Sequence, residues 1–322
     1  VAGSITNEQI LIDTLAIQEA KESSEIENIV TTRDELYQSS VNDNNFASPA
    51  AKEVHAYAEA LKLGFAQLKT QGGISLRLIL TVQETIERNN AGIRKVPGTV
   101  LKNDLTGEVV YTPPQSHEEI KTLMHQLEHF INGSTAEDMD PLLRMALAHF
   151  QFECIHPFYD GNGRTGRILN ILMLIQDGLL HLPVLYLSRY IILNRAMYYK
   201  LLRDTHVSGN FEPWLLYMLD AVETTAKENI QTITAIKALM LRFKKEIRDA
   251  GPRMYSQDLI NSLFRHPYSK IGFIEKDLRV SRLTASRYLD KIKGLGLLHK
   301  RKIGRVNYYI NQLLLDKIMR HP

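Results

Sequence analysis

Apolar residues recur at helical spacing along most of the chain. Between Gln9 and Val30 the positions Ile10, Leu11, Leu15, Ile17, Ile26 and Ile29 trace one stripe, and Ser23 and Glu27 stand four apart on another face. A polar, Asn-rich stretch over 38–49 predicts a loop, and Pro49 suits the first turn of a helix running through 50–68. Helices are also predicted over 75–89 and over 117–132, where Ile120, Leu123, Met124, Leu127 and Phe130 share a stripe. Between them the runs 99–102 and 108–111 are β-prone and flank the turn formers Asn103, Asp104 and Gly107, which predicts a small hairpin ended by Pro113 and Pro114. Asp140 is placed to cap a helix whose first position is Pro141 and whose apolar run reaches Ile155. A second buried helix is predicted over 164–178 with Gly178 as its stop, then helical segments over 188–206 and 211–230, with the pattern continuing to about Arg248.

The pattern changes after 249-DAGP-252. From Gly251 onward 15 Lys or Arg face 5 Asp or Glu, a net charge of +10, whereas the preceding residues carry −7. The formal total of +3 hides this split. Helices over 256–264, 274–278 and 281–294, followed by two strands over 295–310 about a turn at Gly304, resemble a winged helix-turn-helix. That resemblance puts Arg282, Ser286, Arg287 and Lys291 on a recognition helix, puts Lys300, Arg301, Lys302 and Arg305 on a wing, and makes DNA a possible partner. A chain of 322 residues with 44% apolar content suits two to three domains, and the expected division is 1–110, 111–248 and 249–322. A single Cys154 excludes an internal disulfide framework and points to a reducing, cytoplasmic setting. The apolar segment 168–187 is interrupted by Asn170, Gln176, Asp177, Gly178, His181 and Pro183, so a membrane span is not expected, and no basic-then-apolar leader follows Val1.

The chemistry concentrates in 156-HPFYDGNGRTGR-167, between two apolar helices. Gly161, Asn162 and Gly163 permit a tight turn whose backbone N–H groups converge at a helix start, where an anion is favoured. Arg164 and Arg167 lie three apart and can reach oxygens of one polyphosphate. Asp160 would repel a bare phosphate, but it suits a divalent metal bridging phosphate oxygens. His156, four residues earlier, can accept a proton from an attacking hydroxyl. The stretch is neither a Walker A loop, which ends in Lys-Ser or Lys-Thr, nor a dinucleotide fingerprint, whose Gly spacing differs. Phe158 and Cys154 read as core residues.

These twelve residues carry the signature His-Pro-Phe-x-x-Gly-Asn-Gly-Arg-x-x-Arg of the Fic family, which the chain resembles most closely over 111–214. The resemblance implies a mainly α-helical core with a hairpin flap and the transfer of AMP from ATP to a Ser, Thr or Tyr hydroxyl of a target protein. It implies His156 as general base, with Asn162 and Arg164 also catalytic, and Asp160 as the Mg²⁺ ligand. Asn162 with the Gly161 and Gly163 amides would cradle the α- and β-phosphates, Arg164 would contact the β-phosphate, Arg167 the γ-phosphate and Asn194 the nucleoside. The segment 98–111 resembles the family's flap, which docks the target as an added strand.

The same comparison gives meaning to 23-SSEIEN-28. Ser23, Glu27 and Asn28 match the inhibitory pattern Ser/Thr-x-x-x-Glu-Gly/Asn, whose Glu pairs with the second signature Arg, here Arg167. The expectation is an autoinhibited AMP transferase. Two other readings stay open, a DNA-binding regulator that senses nucleotide and an enzyme that removes AMP from proteins, and homodimerisation is possible.

Overall fold

The computed structural model describes residues 8–39, 46–102, 109–133, 138–303 and 306–318. The expected turn at Asn103, Asp104 and Gly107, the turn at Gly304 and the wing residue Arg305 lie outside them, as does half of the Asn-rich loop. In chain order the elements are α1 (Glu8–Ile26), α2 (Arg33–Ser39), α3 (Pro49–Gln71), α4 (Leu76–Glu87), β1 (Leu101–Lys102), β2 (Val109–Tyr111), α5 (His117–Ile131), α6 (Pro141–Ile155), α7 (Asn162–Gln176), α8 (Leu187–Leu193), α9 (Arg195–Ser208) and α10 (Glu212–Ala250). Then follow α11 (Gln257–Arg265), β3 (Tyr268–Ser269), α12 (Ile271–Leu278), α13 (Arg282–Gly294), β4 (His299–Ile303), β5 (Val306–Ile310) and α14 (Gln312–Ile318). The fold is mainly α-helical, as the periodicity predicts. No helix among the described residues is long and apolar enough to cross a membrane.

Two compact units form. One comprises 19–30 and 53–226, the other 1–18, 31–52 and 227–322, so α1, α3 and α10 each contribute residues to both. In the first unit α6 and α7 are buried over most of their surface, which explains the largely apolar run that α7 carries from Ile168 to Ile175 and the apolar residues on several sides of α6. Asp140 accepts a hydrogen bond from the Leu142 N–H at 2.8 Å with Pro141 behind it, and Ser75 and Ser116 cap α4 and α5 in the same way. Trp214, fully buried, donates its indole N–H to the Ala146 carbonyl at 2.8 Å and packs against His149, Tyr198 and Tyr217. The hairpin strands β1 and β2 pair antiparallel, Leu101 opposite Tyr111.

The predicted helix over 188–206 is broken at Asn194 into α8 and α9, while the helix predicted from 211 continues without interruption to Ala250. Helix α1 stops at Ile26 instead of running to Val30, because Asn28 takes a left-handed backbone (φ 63°) and its N–H turns back to the Glu25 carbonyl. Glu27 therefore sits just past the helix.

In the other unit α11, α12 and α13 pack with a three-stranded antiparallel sheet of order β3-β5-β4. Neither the short β3 nor α14 is predicted by periodicity, and neither is α2. Helix α2 belongs to this unit: Tyr37 stacks on Tyr268 with ring centroids 5.6 Å apart, and Asp34 accepts from the Tyr268 hydroxyl at 2.5 Å and from Arg301 at 2.8 Å.

Candidate active site

The signature loop connects two helix ends. His156 is the C-cap of α6, in a left-handed conformation (φ 48°) that turns the chain out of the helix. Gly161 is the N-cap of α7 with φ 77°, a backbone that a residue with a Cβ adopts only under strain. Between these two reversals the loop is fastened by its own side chains. Asn162 is buried, and its amide accepts from the Phe158 N–H and donates to the Phe158 carbonyl, both at 2.9 Å. Phe158 itself is fully buried against Phe152.

Arg94, absent from the sequence expectations, fixes the loop from outside. It is 1% exposed, donates through Nε to the His156 carbonyl at 2.9 Å and through Nη2 to the Pro114 carbonyl, and its backbone N–H bonds the Pro157 carbonyl. The Tyr159 hydroxyl accepts from the N–H groups of Lys95 and Val96, and Tyr111 at the end of the hairpin donates to the Cys154 carbonyl. Nothing in 92-GIRKVPG-98 marks Arg94 as different from a surface Arg.

Burial lowers the affinity of the His156 imidazole for a proton, and Arg94 adds to the effect. Glu27, the Glu153 carbonyl and Asp160 offset it only in part, so its pKa falls to about 4. His156 is therefore a neutral imidazole at pH 7, the form that can accept a proton. Burial drives the Cys154 thiol up to about 12, which leaves it inert.

The two signature guanidiniums are not directed at a common point. Arg167, 1% exposed, donates through Nε to Ser23 Oγ at 2.7 Å, and through Nη2 to the Ser23 carbonyl at 3.0 Å and Glu27 Oε1 at 2.8 Å. Burial opposes the Glu27 charge, yet Arg167, with Arg164 and Arg195, outweighs it and holds that carboxyl below the usual range. Arg164, also buried, pairs with Glu53 at 3.1 Å and with Glu87 at 2.7 Å, two carboxylates that sequence reasoning did not place here. Asn28 accepts from Arg195 Nη1 at 2.9 Å. Asn194 lies exposed at the break between α8 and α9, with its amide bonded to the Tyr190 carbonyl.

Asp160 is exposed at the loop tip; its Oδ1 accepts from the Gly161 N–H at 2.7 Å, and its charge is felt at Glu87. Among the described residues no group of three or more His, Cys, Asp or Glu could hold a metal ion. One exposed carboxylate beside a helix N-terminus nonetheless suits Mg²⁺, which takes one or two carboxylates and fills its remaining positions with other oxygens and water.

One further acid orders this region. Glu19, on α1 one turn before Ser23, is 1% exposed and accepts from the Tyr57 hydroxyl at 3.0 Å, the Ser188 hydroxyl, and the Ser188 N–H at 3.2 Å. Glu19 thus ties α1 to α3 and to the start of α8.

The sequence model of the Fic/DOC family matches residues 74–174, that of the Fic/DOC family N-terminal region matches 1–66, and that of the C-terminal domain of SoFic-like protein adenylyltransferases matches 239–314. Protein adenylyltransferase Fic of Drosophila mojavensis is 25% identical over 177 residues, which is 54% of this chain and 34% of that protein. The same-named protein of Drosophila melanogaster is 24% identical over the same shares. The match thus spans about a third of the length of these curated relatives. Among solved structures, a Fic family protein from Desulfovibrio desulfuricans superposes with a TM-score of 0.59 at 18% identity, covering 96% of this chain and 90% of that one. Fic-1 from C. elegans gives 0.55 at 22% identity over 71% and 66%. These likenesses concern the fold. With three family models matching along its length, the chain is a Fic-family protein with a Fic/DOC N-terminal region and a SoFic-like C-terminal domain.

Proposed function

We propose that the protein is an autoinhibited adenylyltransferase that moves AMP from ATP to a Ser, Thr or Tyr hydroxyl of a target protein. The observation that carries this reading is the neutral His156 imidazole at one end of the signature loop, with the N-terminus of α7 at the other. The target oxygen attacks the α-phosphorus, the bond to the α–β bridging oxygen breaks and pyrophosphate leaves, while His156 takes the hydroxyl proton. The α7 N-terminal amides and the Arg164 and Arg167 guanidiniums would hold the phosphate oxygens. Asp160 would hold Mg²⁺, which when bound neutralises phosphate charge. Docking of the target on the hairpin is supported by the exposed Val109 and Val110 of β2.

In this reading Arg167 is withheld from the γ-phosphate by Ser23 and Glu27, so ATP that binds is not aligned for attack. Protein incubated with labelled ATP and Mg²⁺ tests both parts. Glu27→Gly is expected to raise AMP incorporation, and equal labelling of parent and variant would refute the inhibitory role. His156→Ala is expected to lower transfer by about a hundredfold or more at unchanged nucleotide affinity. Loss of ATP binding in step with activity would refute the general-base role.

For the basic C-terminal module the reading is a winged helix over 249–322, following an N-terminal region (1–110) and a catalytic core (111–248). Arg282 and Arg287 are exposed on α13, which favours a nucleic-acid partner. Two wing bases are already engaged within the chain, Lys300 by Asp290 at 2.9 Å and Arg301 by Asp34 at 2.8 Å, which leaves fewer cations for phosphate contacts and weighs against that partner. A mobility shift with the full chain that weakens steeply with salt would decide for DNA, and no shift at low salt would decide against it.

A further inference from the structure

The absence of side chains at Gly161 and Gly163 leaves space over the signature loop, and in both places a carboxylate from another element fills it. A Cβ on Gly163 would fall on Glu27 Oε1, with Arg167 Nη1 2.9 Å away. A Cβ on Gly161 would come within 2.5 Å of Glu87 Oε1 and 3.1 Å of Glu87 Cδ and Cγ. Each carboxylate also holds one signature guanidinium, Glu27 that of Arg167 at 2.8 Å and Glu87 that of Arg164 at 2.7 Å. The arrangement is the same twice, with a glycine, a carboxylate over it and an Arg paired to that carboxylate. Only the Glu27 half has a counterpart in the sequence pattern at 23–28.

The setting of Glu87 is unlike that of a carboxylate built in for support. It is the last residue of α4, where the helix dipole disfavours negative charge, and Arg88 after it turns left-handed (φ 54°). Burial pushes its carboxyl up, Arg164 pulls it down, and the nearby Asp160, Glu53 and Glu27 charges push it up again, with a net rise. Glu53 shares the Arg164 guanidinium at 3.1 Å, but its side chain is 44% exposed, and Glu87 supplies all three atoms nearest to the open side of Gly161. A phosphate approaching the Gly161 amide would have to share that space with Glu87.

We propose that Glu87 is a second inhibitory carboxylate: it occupies an anion position over Gly161 and reserves Arg164, as Glu27 reserves Arg167, so a polyphosphate gains the whole cradle only when both withdraw. This rests on the reading of the loop as a polyphosphate site. It does not require that AMP be transferred.

The test is titration of a non-hydrolysable ATP analogue with Mg²⁺ into four full-length variants, followed by calorimetry: Glu27→Gly, Glu87→Gln, Glu27→Gly/Glu87→Gln and Glu27→Gly/Glu53→Gln. The double variant at 27 and 87 is expected to bind about tenfold more tightly than Glu27→Gly alone, the factor that one competing charge-assisted hydrogen bond is worth. Glu53→Gln in the same background is expected to stay within about twofold. Unchanged or weaker binding in the 27/87 double variant overturns the proposal and makes Glu87 a support for Arg164. Should Glu87→Gln not fold, as judged by Trp214 fluorescence, Glu27→Gly/Glu87→Asp withdraws the carboxylate from Gly161 while keeping its charge, and is read against Glu27→Gly in the same way. AMP incorporation is measured separately. Tighter binding with no AMP added keeps the second carboxylate and removes the transferase reading; AMP added with no gain from position 87 does the reverse.

Discussion

The buried Glu19 makes the stability of the unit that carries the site depend on pH in a direction opposite to ordinary acid unfolding. Its three hydrogen bonds favour the carboxylate, but burial outweighs them and the neighbouring Glu22 adds to the effect, so its pKa stands at about 8 against 4.5 for a free Glu. The folded state therefore holds a proton here that the unfolded chain has released. The stability associated with that proton is complete below pH 4.5 and is lost as pH rises to about 8. Integrated over the window it has a ceiling of about 5 kcal/mol, and about 2 kcal/mol is the working expectation once local relaxation and water entry are counted. Glu19→Gln stays neutral throughout but offers one acceptor fewer to Tyr57 and Ser188, a cost of about 1 kcal/mol at pH 5. The difference between parent and variant should then move by about 2 kcal/mol in favour of Gln between pH 5 and pH 8. Urea unfolding followed by fluorescence of Trp214, the single Trp and fully buried in the same unit, measures it at each pH. Parallel stability curves for the two proteins would show that Glu19 titrates normally and would refute the reasoning.

Further expectations concern His156, Gly166 and Asp34. Because His156 gains its proton only near pH 4, the acid limb of the proposed AMP transfer should fall well below the 6.5 of a free imidazole, and a limb at 6.5 would mean that the folded ring is solvated. The same depressed value means that its contribution to stability is present above pH 6.5 and is lost as pH falls toward 4, the opposite sense to Glu19. Gly166→Ala should destabilise the protein by about 2 kcal/mol in the Trp214 assay, since a Cβ there meets Glu153 Oε1 at 2.7 Å, Phe152 at 3.1 Å and His149 at 3.2 Å. Asp34→Asn leaves one acceptor where Tyr268 and Arg301 use two; as the Arg301 pair is exposed, a loss of about 1 kcal/mol is expected, read as faster amide exchange over 33–39 and 299–303.

The parts of the fold that could be read from the sequence are those whose signal is local. Asp140-Pro141 marks the start of α6 because the cap and the fixed φ of Pro act within one turn. The signature was legible as a loop because its two glycines and its charged residues interrupt an apolar run. Helix α2 was not, because 33-RDELYQS-39 is short and polar, and its partners Tyr268 and Arg301 lie more than 200 residues away. The break at Asn194 was missed for a related reason: 188–206 keeps a helical pattern on both sides of the kink. In the site, spacing alone put Arg164 and Arg167 on one face and suggested a shared ligand. It could not show that Glu53 and Glu87 from α3 and α4 engage one of them while Ser23 and Glu27 engage the other. Nor could it show that the Asn162 side chain closes the loop on Phe158, a contact four residues back that the backbone reversals at His156 and Gly161 bring into reach.

That division of labour bears on how such a site is switched. The backbone of the loop is held by groups that need no ligand: Asn162 within it, Arg94 on the His156 carbonyl, and the left-handed turns at His156 and Gly161. A cradle fixed in this way needs little reorganisation to receive an anion. The guanidiniums are fixed too, but by carboxylates, and an Arg paired with a carboxylate at 2.7–2.8 Å offers little net field to a phosphate. On the proposed reading the positive charge of the site is present but neutralised, and it is exposed in full only when the acidic side chains on both guanidiniums move away. Removing Glu27 moves only Arg167 into that state, whereas Arg164 keeps two partners. On the proposed reading, full activation of the cradle is a property of α4 as much as of α1, and sequence comparison confined to the inhibitory segment would not detect it.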